Sequence, residues 1–434
     1  MKQDIKNCVN CKKNFTIEPD DFGFYEKIKV PPPTFCPDCR RQRRWAWRNN
    51  MSLYNRKCDL CGKGIISIYH PDSGIIVYCN KCWWSDKWDP KSYGVDYDFS
   101  KPFFAQFIEL MKRVPHMAIV NDDGIASLNC EYTHDWWFSK NCYMCFSGWY
   151  VENVMYSFFI LKGKDIVDCM NIRSESNWIY ECILCSKSYQ TKYSEICLAC
   201  VDSQFLYDCH NCKHVFGCVG LRNTNYCIFN KQYTKEQYGE LMPKIMEHMD
   251  TMPFLDKKGN KYSYGEYFPV ELSYFGYNES CAMEQFPLAK KEANEAGYNW
   301  QNNIQKTTGK ETLLPGKIPE SIDDVGDSIL EEILACTNCK RNYKIVSNEL
   351  NFYKKMNIPI PRRCFHCRHQ ARVKRTNPFK LWHRSCMCKK ENHFHGAGDP
   401  RQGGARCPVE FETSYAPDRP EIVYCEKCYQ AEVY

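Results

Sequence analysis

Residues 8–39 read CVNCKKNFTIEPDDFGFYEKIKVPPPTFCPDC, and residues 336–367 read CTNCKRNYKIVSNELNFYKKMNIPIPRRCFHC. The two stretches align without a gap at a constant offset of 328 residues, and the alignment continues to Cys58 and Cys386. Chance does not keep such a register over about fifty residues, so the chain contains an internal duplication.

Each copy contains two Cys-x-x-Cys pairs separated by 24 residues. Such pairs are typical of zinc knuckles, and two pairs complete a closed tetrahedral site. Alternating residues between the pairs predict a short hairpin, and Arg and Gln after the second pair predict a helix. The order of knuckle, hairpin and helix predicts treble-clef-like geometry. The predicted ligands are Cys8, Cys11, Cys36 and Cys39 in the first copy and Cys336, Cys339, Cys364 and Cys367 in the second.

A second cysteine motif follows in each copy. In the first copy, two alternating segments flank a Pro-Asp-Ser-Gly turn, which predicts a zinc-ribbon hairpin. In the second copy, about eighteen extra residues separate the two halves of the motif. The predicted ligands are Cys58, Cys61, Cys79 and Cys82 in the first copy and Cys386, Cys388, Cys425 and Cys428 in the second. Cys407, His393 or His395 is an alternative for one member of the last set.

These motifs resemble the small zinc-ribbon domains of uncharacterised bacterial proteins. The shared features are Cys-x-x-Cys, an acidic residue before Phe-Tyr, and Pro-x-x-Cys-x-x-Cys-Arg. The carboxy-terminal copy matches more closely, because Glu349 precedes Phe352 and Tyr353, whereas the amino-terminal copy has Gly23 directly before Phe-Tyr. The resemblance implies zinc binding, with about four ions per chain, and it implies no particular function.

The cysteine content points to a reducing compartment. The chain has 30 cysteines, but its beginning lacks an apolar signal segment, and no run of eighteen apolar residues occurs. We therefore predict a cytoplasmic protein without a membrane partner, in which paired thiols bind metal. A redox dithiol at Cys36 and Cys39 is less favoured, because every pair has a second pair at zinc-ribbon spacing. The formal charge of +6 predicts no partner, since four tetrathiolate zinc sites would add about −8.

The middle of the chain predicts a parallel β-solenoid. Short aromatic and cysteine-containing phrases recur at about 21 residues, as at Cys197 and Cys218. Inward packing of small free cysteines is the favoured interpretation. Zinc binding by Cys182 and Cys185 with Cys197 and Cys200, or a catalytic thiol beside His210 or His214, are the alternatives.

The predicted fold class is mixed and β-rich, with duplicated zinc-ribbon or treble-clef modules flanking this solenoid. Residues 1–92 form the first tandem module, and residues 93–245 form a helix and the solenoid. Residues 246–325 form an extended segment and linker, and residues 326–434 form the second tandem module.

The sequence favours a non-catalytic binding protein. The motifs of catalytic zinc sites, phosphate loops and zinc deaminases do not occur, and no small-molecule substrate is evident. Residues 40–48 read RRQRRWAWR, in which arginines can neutralise phosphates and tryptophans can stack on bases. RNA, DNA or a ribonucleoprotein is therefore the predicted partner. Counterions of the zinc thiolates, and a protein-interaction scaffold with structural zinc, are the alternatives. The predicted contact residues are Arg41, Arg43, Arg48, Trp45 and Trp47.

Overall fold

The structure is a computed structural model, and the protein is β-rich. It describes residues 4–120, 128–131, 134–137, 140–143, 146–149, 166–167, 177–180, 183–373, 381–389 and 407–433. The chain separates into two compact units, Met1–Arg362 and Arg363–Tyr434. Among the residues described, no helix has the length and apolar character needed to cross a membrane.

The helices of the described residues are short, apart from two that pack near the middle of the chain. They are α1 Pro19–Lys27, α2 Pro37–Trp45, α3 Asn80–Trp83, α4 Phe103–Arg113, α5 Lys235–Thr251, α6 Ala282–Gln285, α7 Lys290–Glu295, α8 Ser347–Met356, α9 Phe365–Val373 and α10 Glu426–Val433. Short 3-10 helices cover Pro71–Ser73, Pro90–Tyr93, Val270–Leu272, Tyr277–Glu279, Pro315–Lys317, Ile322–Asp324 and Asp327–Leu330.

Antiparallel hairpins of two strands carry the first cysteines of each terminal motif. They are β1 Asp4–Asn7 with β2 Asn14–Ile17, β3 Tyr54–Lys57 with β4 Gly64–Ser67, β22 Leu334–Ala335 with β23 Asn342–Tyr343, and β24 Trp382–Ser385 with β25 Glu410–Thr413. Two further pairs are β5 Val77–Tyr78 with β6 His116–Met117, and β20 Phe254–Leu255 with β21 Lys261–Tyr262.

The hairpin predicted across the Pro-Asp-Ser-Gly turn does not form. Strand β4 pairs with β3, and β5 pairs in parallel with β6, so the two segments that flank the turn have different partners. The physical reason is that the knuckle at Cys58 and Cys61 is itself the turn of a hairpin, which satisfies β4 from the other side.

Parallel strands form a solenoid-like region at residues 189–228, as the sequence predicts. Successive strands pair at an offset of 12 residues, which places Tyr189 beside Val201 and Lys213 beside Asn225. The predicted repeat of about 21 residues is therefore wrong. The parallel strands are β7 Leu128–Glu131, β8 His134–Trp137, β9 Lys140–Tyr143, β10 Phe146–Trp149, β11 Ile166–Val167, β12 Asn177–Tyr180, β13 Ile183–Ser186, β14 Tyr189–Lys192, β15 Glu195–Leu198, β16 Val201–Tyr207, β17 Lys213–Val219 and β18 Asn225–Ile228, and β19 Lys231–Gln232 closes the sheet antiparallel to β18.

A three-residue rhythm underlies each 12-residue coil. Every third residue from Lys187 to Phe229 has a left-handed backbone, with φ between 46° and 66°. The residue after each of these turns points inward, and these inward residues are no more than 8% exposed. They are Ser188, Thr191, Ser194, Cys197, Cys200, Ser203, Leu206, Cys209, Cys212, Val215, Cys218, Leu221, Thr224, Cys227 and Asn230. Because 21 is a multiple of three, inward cysteines also match at that wrong spacing.

The inward cysteines of the solenoid pack as free thiols. The Cys209 thiol donates to the carbonyl oxygens of Tyr207 and Cys218, both at 3.5 Å, as Ser203 donates its hydroxyl to Val201 at 2.7 Å. Within the described residues, the cysteine groups that could hold a metal do not include these thiols. The alternative zinc site involves Cys182, which lies outside the described residues.

The sides of the solenoid are covered by α4 and by the segment that follows α5. Helix α4 packs on the side of the coil rather than at its end, with the Phe103 ring 4.9 Å from the Phe205 ring. The segment predicted as extended and linking is buried in part, since Tyr267 is 0% exposed. Gly265 has φ +97°, and a Cβ there would lie 2.3 Å from the Pro31 ring. This segment thus packs closely against the first cysteine module.

Candidate metal centres

Four groups of cysteine sulfurs in the described residues could each hold a metal ion. In each group the four Sγ atoms lie within 4.8 Å of one another. The groups are Cys8, Cys11, Cys36 and Cys39 (site 1), Cys58, Cys61, Cys79 and Cys82 (site 2), Cys336, Cys339, Cys364 and Cys367 (site 3), and Cys386, Cys407, Cys425 and Cys428 (site 4).

All four sites have the same local construction. The first two cysteines of each lie at the turn of a hairpin, and the last two lie at the beginning of a helix. At sites 1 to 3 the hairpin turn needs a left-handed residue, which is Lys12, Gly62 or Lys340. Its amide donates to the carbonyl of the first cysteine at 2.9 to 3.0 Å. This turn directs both sulfurs of the knuckle to one point.

A backbone amide donates to the first sulfur in the same way at three of the sites. The amide of Cys36 lies 3.2 Å from Cys8 Sγ, and the amide of Cys79 lies 3.2 Å from Cys58 Sγ. The amide of Cys425 lies 3.2 Å from Cys386 Sγ. Because an N–H donor stabilises a thiolate, this contact favours the form of cysteine that binds metal.

The separations between sulfurs fit tetrahedral coordination. Zinc–sulfur bonds of about 2.3 Å place tetrahedral ligands about 3.8 Å apart. The Cys11 and Cys36 sulfurs are 3.7 Å apart, and the Cys61 and Cys79 sulfurs are 3.9 Å apart. The corresponding pair at site 4, Cys407 with Cys425, is 4.0 Å apart. A single ion of this bond length would therefore fit between them.

The electrostatics of sites 1 and 2 favour thiolates at selected positions. A hydrogen bond from the Cys39 thiol lowers the pKa of Cys36 to about 5, against the opposing effect of burial. A backbone amide at Lys63 lowers the pKa of Cys61 to about 7. Burial raises the pKa of Cys11 and of Cys79. Binding of a cation at these sites would therefore release protons from the thiols that remain protonated.

Site 4 differs from its predicted composition. Cys407 completes the group of four, and the predicted ligand Cys388 does not belong to it. The reason is that Cys407 takes the position of Cys61, the second cysteine of the knuckle, opposite Cys425. A signal for this was present in the sequence, since the offset of 346 residues that aligns Cys79 with Cys425 also aligns Cys61 with Cys407. His393 and His395 lie outside the described residues.

Three of the five residues predicted to contact nucleic acid are buried, which corrects that prediction. Arg43, Trp47 and Arg48 are 1 to 2% exposed. Arg43 donates to Glu266 at 2.8 Å, and the Trp47 ring lies 5.3 Å from the Phe268 ring. The physical reason is that the segment after α5 covers this side of α2.

The other two predicted contact residues retain some exposure. The Arg41 side chain is 28% exposed and lies 3.5 Å from Asp38. Trp45 is half-buried, with its ring 6.2 Å from the ring of Phe286. The structure thus separates the predicted basic and aromatic cluster into a buried part and a smaller accessible part.

The fold and the sites define a β-rich chain with a solenoid-like region and four tetracysteine groups. Comparison with models of known families, with curated proteins and with solved structures finds no match for this chain.

Proposed function

We propose that this protein is a zinc-stabilised interaction protein that binds a protein partner through its carboxy-terminal module. Each of the four tetracysteine groups would hold one Zn²⁺ in a structural role. Four cysteine ligands are typical of closed structural zinc sites, which leave no position for substrate or water. The hairpin knuckle followed by ligands at a helix start supports assigning the modules to the treble-clef type.

One observation carries the proposed interaction: the two copies of the second module differ in what covers their apolar residues. Large apolar side chains that are covered in the first copy are exposed in the second. The exposed residues are Leu381 at 61%, Tyr415 at 37%, Ile422 at 69% and Tyr429 at 55%. We call these four residues the apolar face of the carboxy-terminal module.

The counterparts in the first copy are Leu53, Tyr69, Ile76 and Trp83. Tyr69 is 2% exposed, and its hydroxyl lies 2.5 Å from that of Tyr207 in the solenoid. Trp83 is 0% exposed, and its indole N–H donates to the carbonyl of Pro115 at 3.3 Å. In the first copy, therefore, these positions pack against protein, and large apolar residues were retained in the second.

The charge around the apolar face indicates which kind of partner it fits. Residues 407–433 contain six acidic residues but only two basic ones, Arg419 and Lys427. The aligned residues 61–87 contain two acidic and three basic residues. The bound zinc would add further negative charge. An apolar face with an acidic surround is complementary to a protein surface with apolar side chains and a basic rim, and it repels phosphates. The acidic residues are Glu410, Glu412, Asp418, Glu421, Glu426 and Glu432.

The test uses a fluorescent amphipathic helical peptide of leucine and lysine as the probe. We expect the full-length protein to bind it, with weaker binding at higher salt. The variant Leu381→Ser/Ile422→Ser/Tyr429→Ser should bind at least about tenfold more weakly, because it loses the apolar contacts. The matched control Ile5→Ser/Leu255→Ser/Leu314→Ser changes residues that are 57 to 67% exposed elsewhere and should bind normally.

Three results would oppose this proposal. The first is equal loss of binding in both triple variants. The second is a dimer in light scattering that the carboxy-terminal variant dissociates, since the partner would then be a second copy. The third is salt-sensitive binding of single-stranded RNA that Arg41→Glu weakens, which would restore nucleic acid as the partner.

A further inference from the structure

Site 4 contains a fifth cysteine, and this sets it apart from the other three sites. Cys388 is 0% exposed and belongs to the same buried cluster as the four grouped cysteines. Its thiol lies within hydrogen-bonding reach of the Cys428 thiol. At sites 1 to 3, two residues separate the knuckle cysteines, whereas at site 4 eighteen residues separate Cys388 from Cys407.

The backbone places Cys388 directly beside the cysteine that completes the group. The amide of Cys407 donates to the carbonyl of Cys388 at 3.0 Å, and the amide of Cys386 donates to Val409 at 2.8 Å. The two chain segments therefore run side by side, with Cys386 and Cys388 on one and Cys407 on the other. Both Cys388 and Cys407 are buried at the same end of the module.

We propose that Cys388 and Cys407 are interchangeable ligands of site 4, so that this site can exchange its zinc more readily than the others. The inference rests on the zinc binding proposed above. In the exchange, the Cys388 sulfur loses its proton as it takes the fourth coordination position. The displaced Cys407 sulfur takes up a proton, so the site keeps four thiolates and its net charge. A buried incoming ligand allows exchange without exposing the ion to water.

Interchangeable ligands predict a specific pattern of zinc content. The wild-type protein and the single variants Cys388→Ser and Cys407→Ser should each bind four ions per chain, because one thiol replaces the other. The double variant Cys388→Ser/Cys407→Ser should bind three. The matched control is Cys61→Ser, which removes the equivalent knuckle cysteine from site 2, where the group has no fifth cysteine, and it should bind three ions.

The experiment measures zinc per chain by mass spectrometry and zinc release to a colorimetric chelator, both on the full-length protein. In the wild type, one ion should leave in a faster phase, which Cys388→Ser slows on the order of tenfold. Three ions in Cys407→Ser, or a release rate that Cys388→Ser does not change, would overturn the inference while leaving the structural zinc assignment in place. Fewer than four ions in the wild type would overturn both.

Discussion

At the scale of single residues, the arginines of α2 have two different environments. Arg43 is buried against Glu266 and lies with its guanidinium carbon 4.3 Å from the centre of the Phe35 ring. Arg41 is partly exposed and lies beside Asp38 on the same helix. The sequence presents both as members of one basic cluster. Burial of Arg43 depends on a carboxylate more than two hundred residues away, which no local pattern predicts.

We predict that Arg43→Ala destabilises the protein by about 3 to 5 kcal/mol, because it leaves the Glu266 carboxylate buried without its partner. The control Arg41→Ala should change the free energy of unfolding by no more than about 1 kcal/mol, since an exposed ion pair contributes little. Urea unfolding of the zinc-loaded protein measures both values. Equal effects of the two substitutions would contradict the buried role of Arg43.

His116 predicts a pH dependence of stability. Burial lowers its pKa from the usual 6.5 to about 4, and its Nε2–H donates to the carbonyl of Met111 at 2.6 Å. The unfolded chain takes up a proton at this histidine near pH 6.5, whereas the folded protein does so only near pH 4. Stability is therefore complete above pH 6.5 and falls as the pH decreases through this window, by about 3 kcal/mol.

The variant His116→Gln can keep the hydrogen bond to Met111 but cannot titrate. Acid also removes zinc from thiolates, so the informative quantity is the difference between the two proteins. Between pH 6.5 and 5 the free energy of unfolding should fall more steeply in the wild type than in the variant. Parallel curves would exclude a neutral, buried His116.

At the scale of elements, the solenoid is determined by a repeat that its cysteines only partly reveal. The parallel β-solenoid and its inward cysteines could be predicted, because small residues recur in short phrases. The 12-residue coil could not be found from cysteine spacing, because Ser188, Thr191 and Val215 occupy equivalent inward positions. The side chains that meet across coils thus share size and burial rather than identity.

Gly217 is a point at which the solenoid and α4 constrain each other. It has φ +62°, and a Cβ there would lie 2.5 Å from the Phe229 ring, which packs against Phe103. We predict that Gly217→Ala destabilises the protein by about 2 to 5 kcal/mol, from left-handed strain and overpacking together. Gly259→Ala is the control, since Gly259 has φ +78° with open space around its Cβ.

Thermal unfolding of both glycine variants separates the two causes. The Gly259 variant carries only the backbone strain, which costs about 1 to 2 kcal/mol. If both variants lose the same stability, the close approach of Phe229 to Gly217 has no energetic consequence.

At the scale of the whole molecule, the chain uses one duplicated design in two settings. The sequence predicts the cysteine groups well, because ligand spacing is a local property that the duplication repeats. Cys407 is the exception, since an insertion separates it from its knuckle partner. The sequence does not predict which copy is covered by the rest of the protein. That difference depends on contacts such as those of Tyr69 and Trp83 with distant residues.

The three-residue rhythm of the solenoid limits how such a chain can change in length. An insertion or deletion of three residues keeps each side chain inside or outside, but it moves every later residue to a different side of the coil. Only a change of twelve residues returns Phe205 and Phe229 to the column that faces α4. Evolution can therefore lengthen this protein only in whole coils, and each added coil would bring one new row to every surface at once.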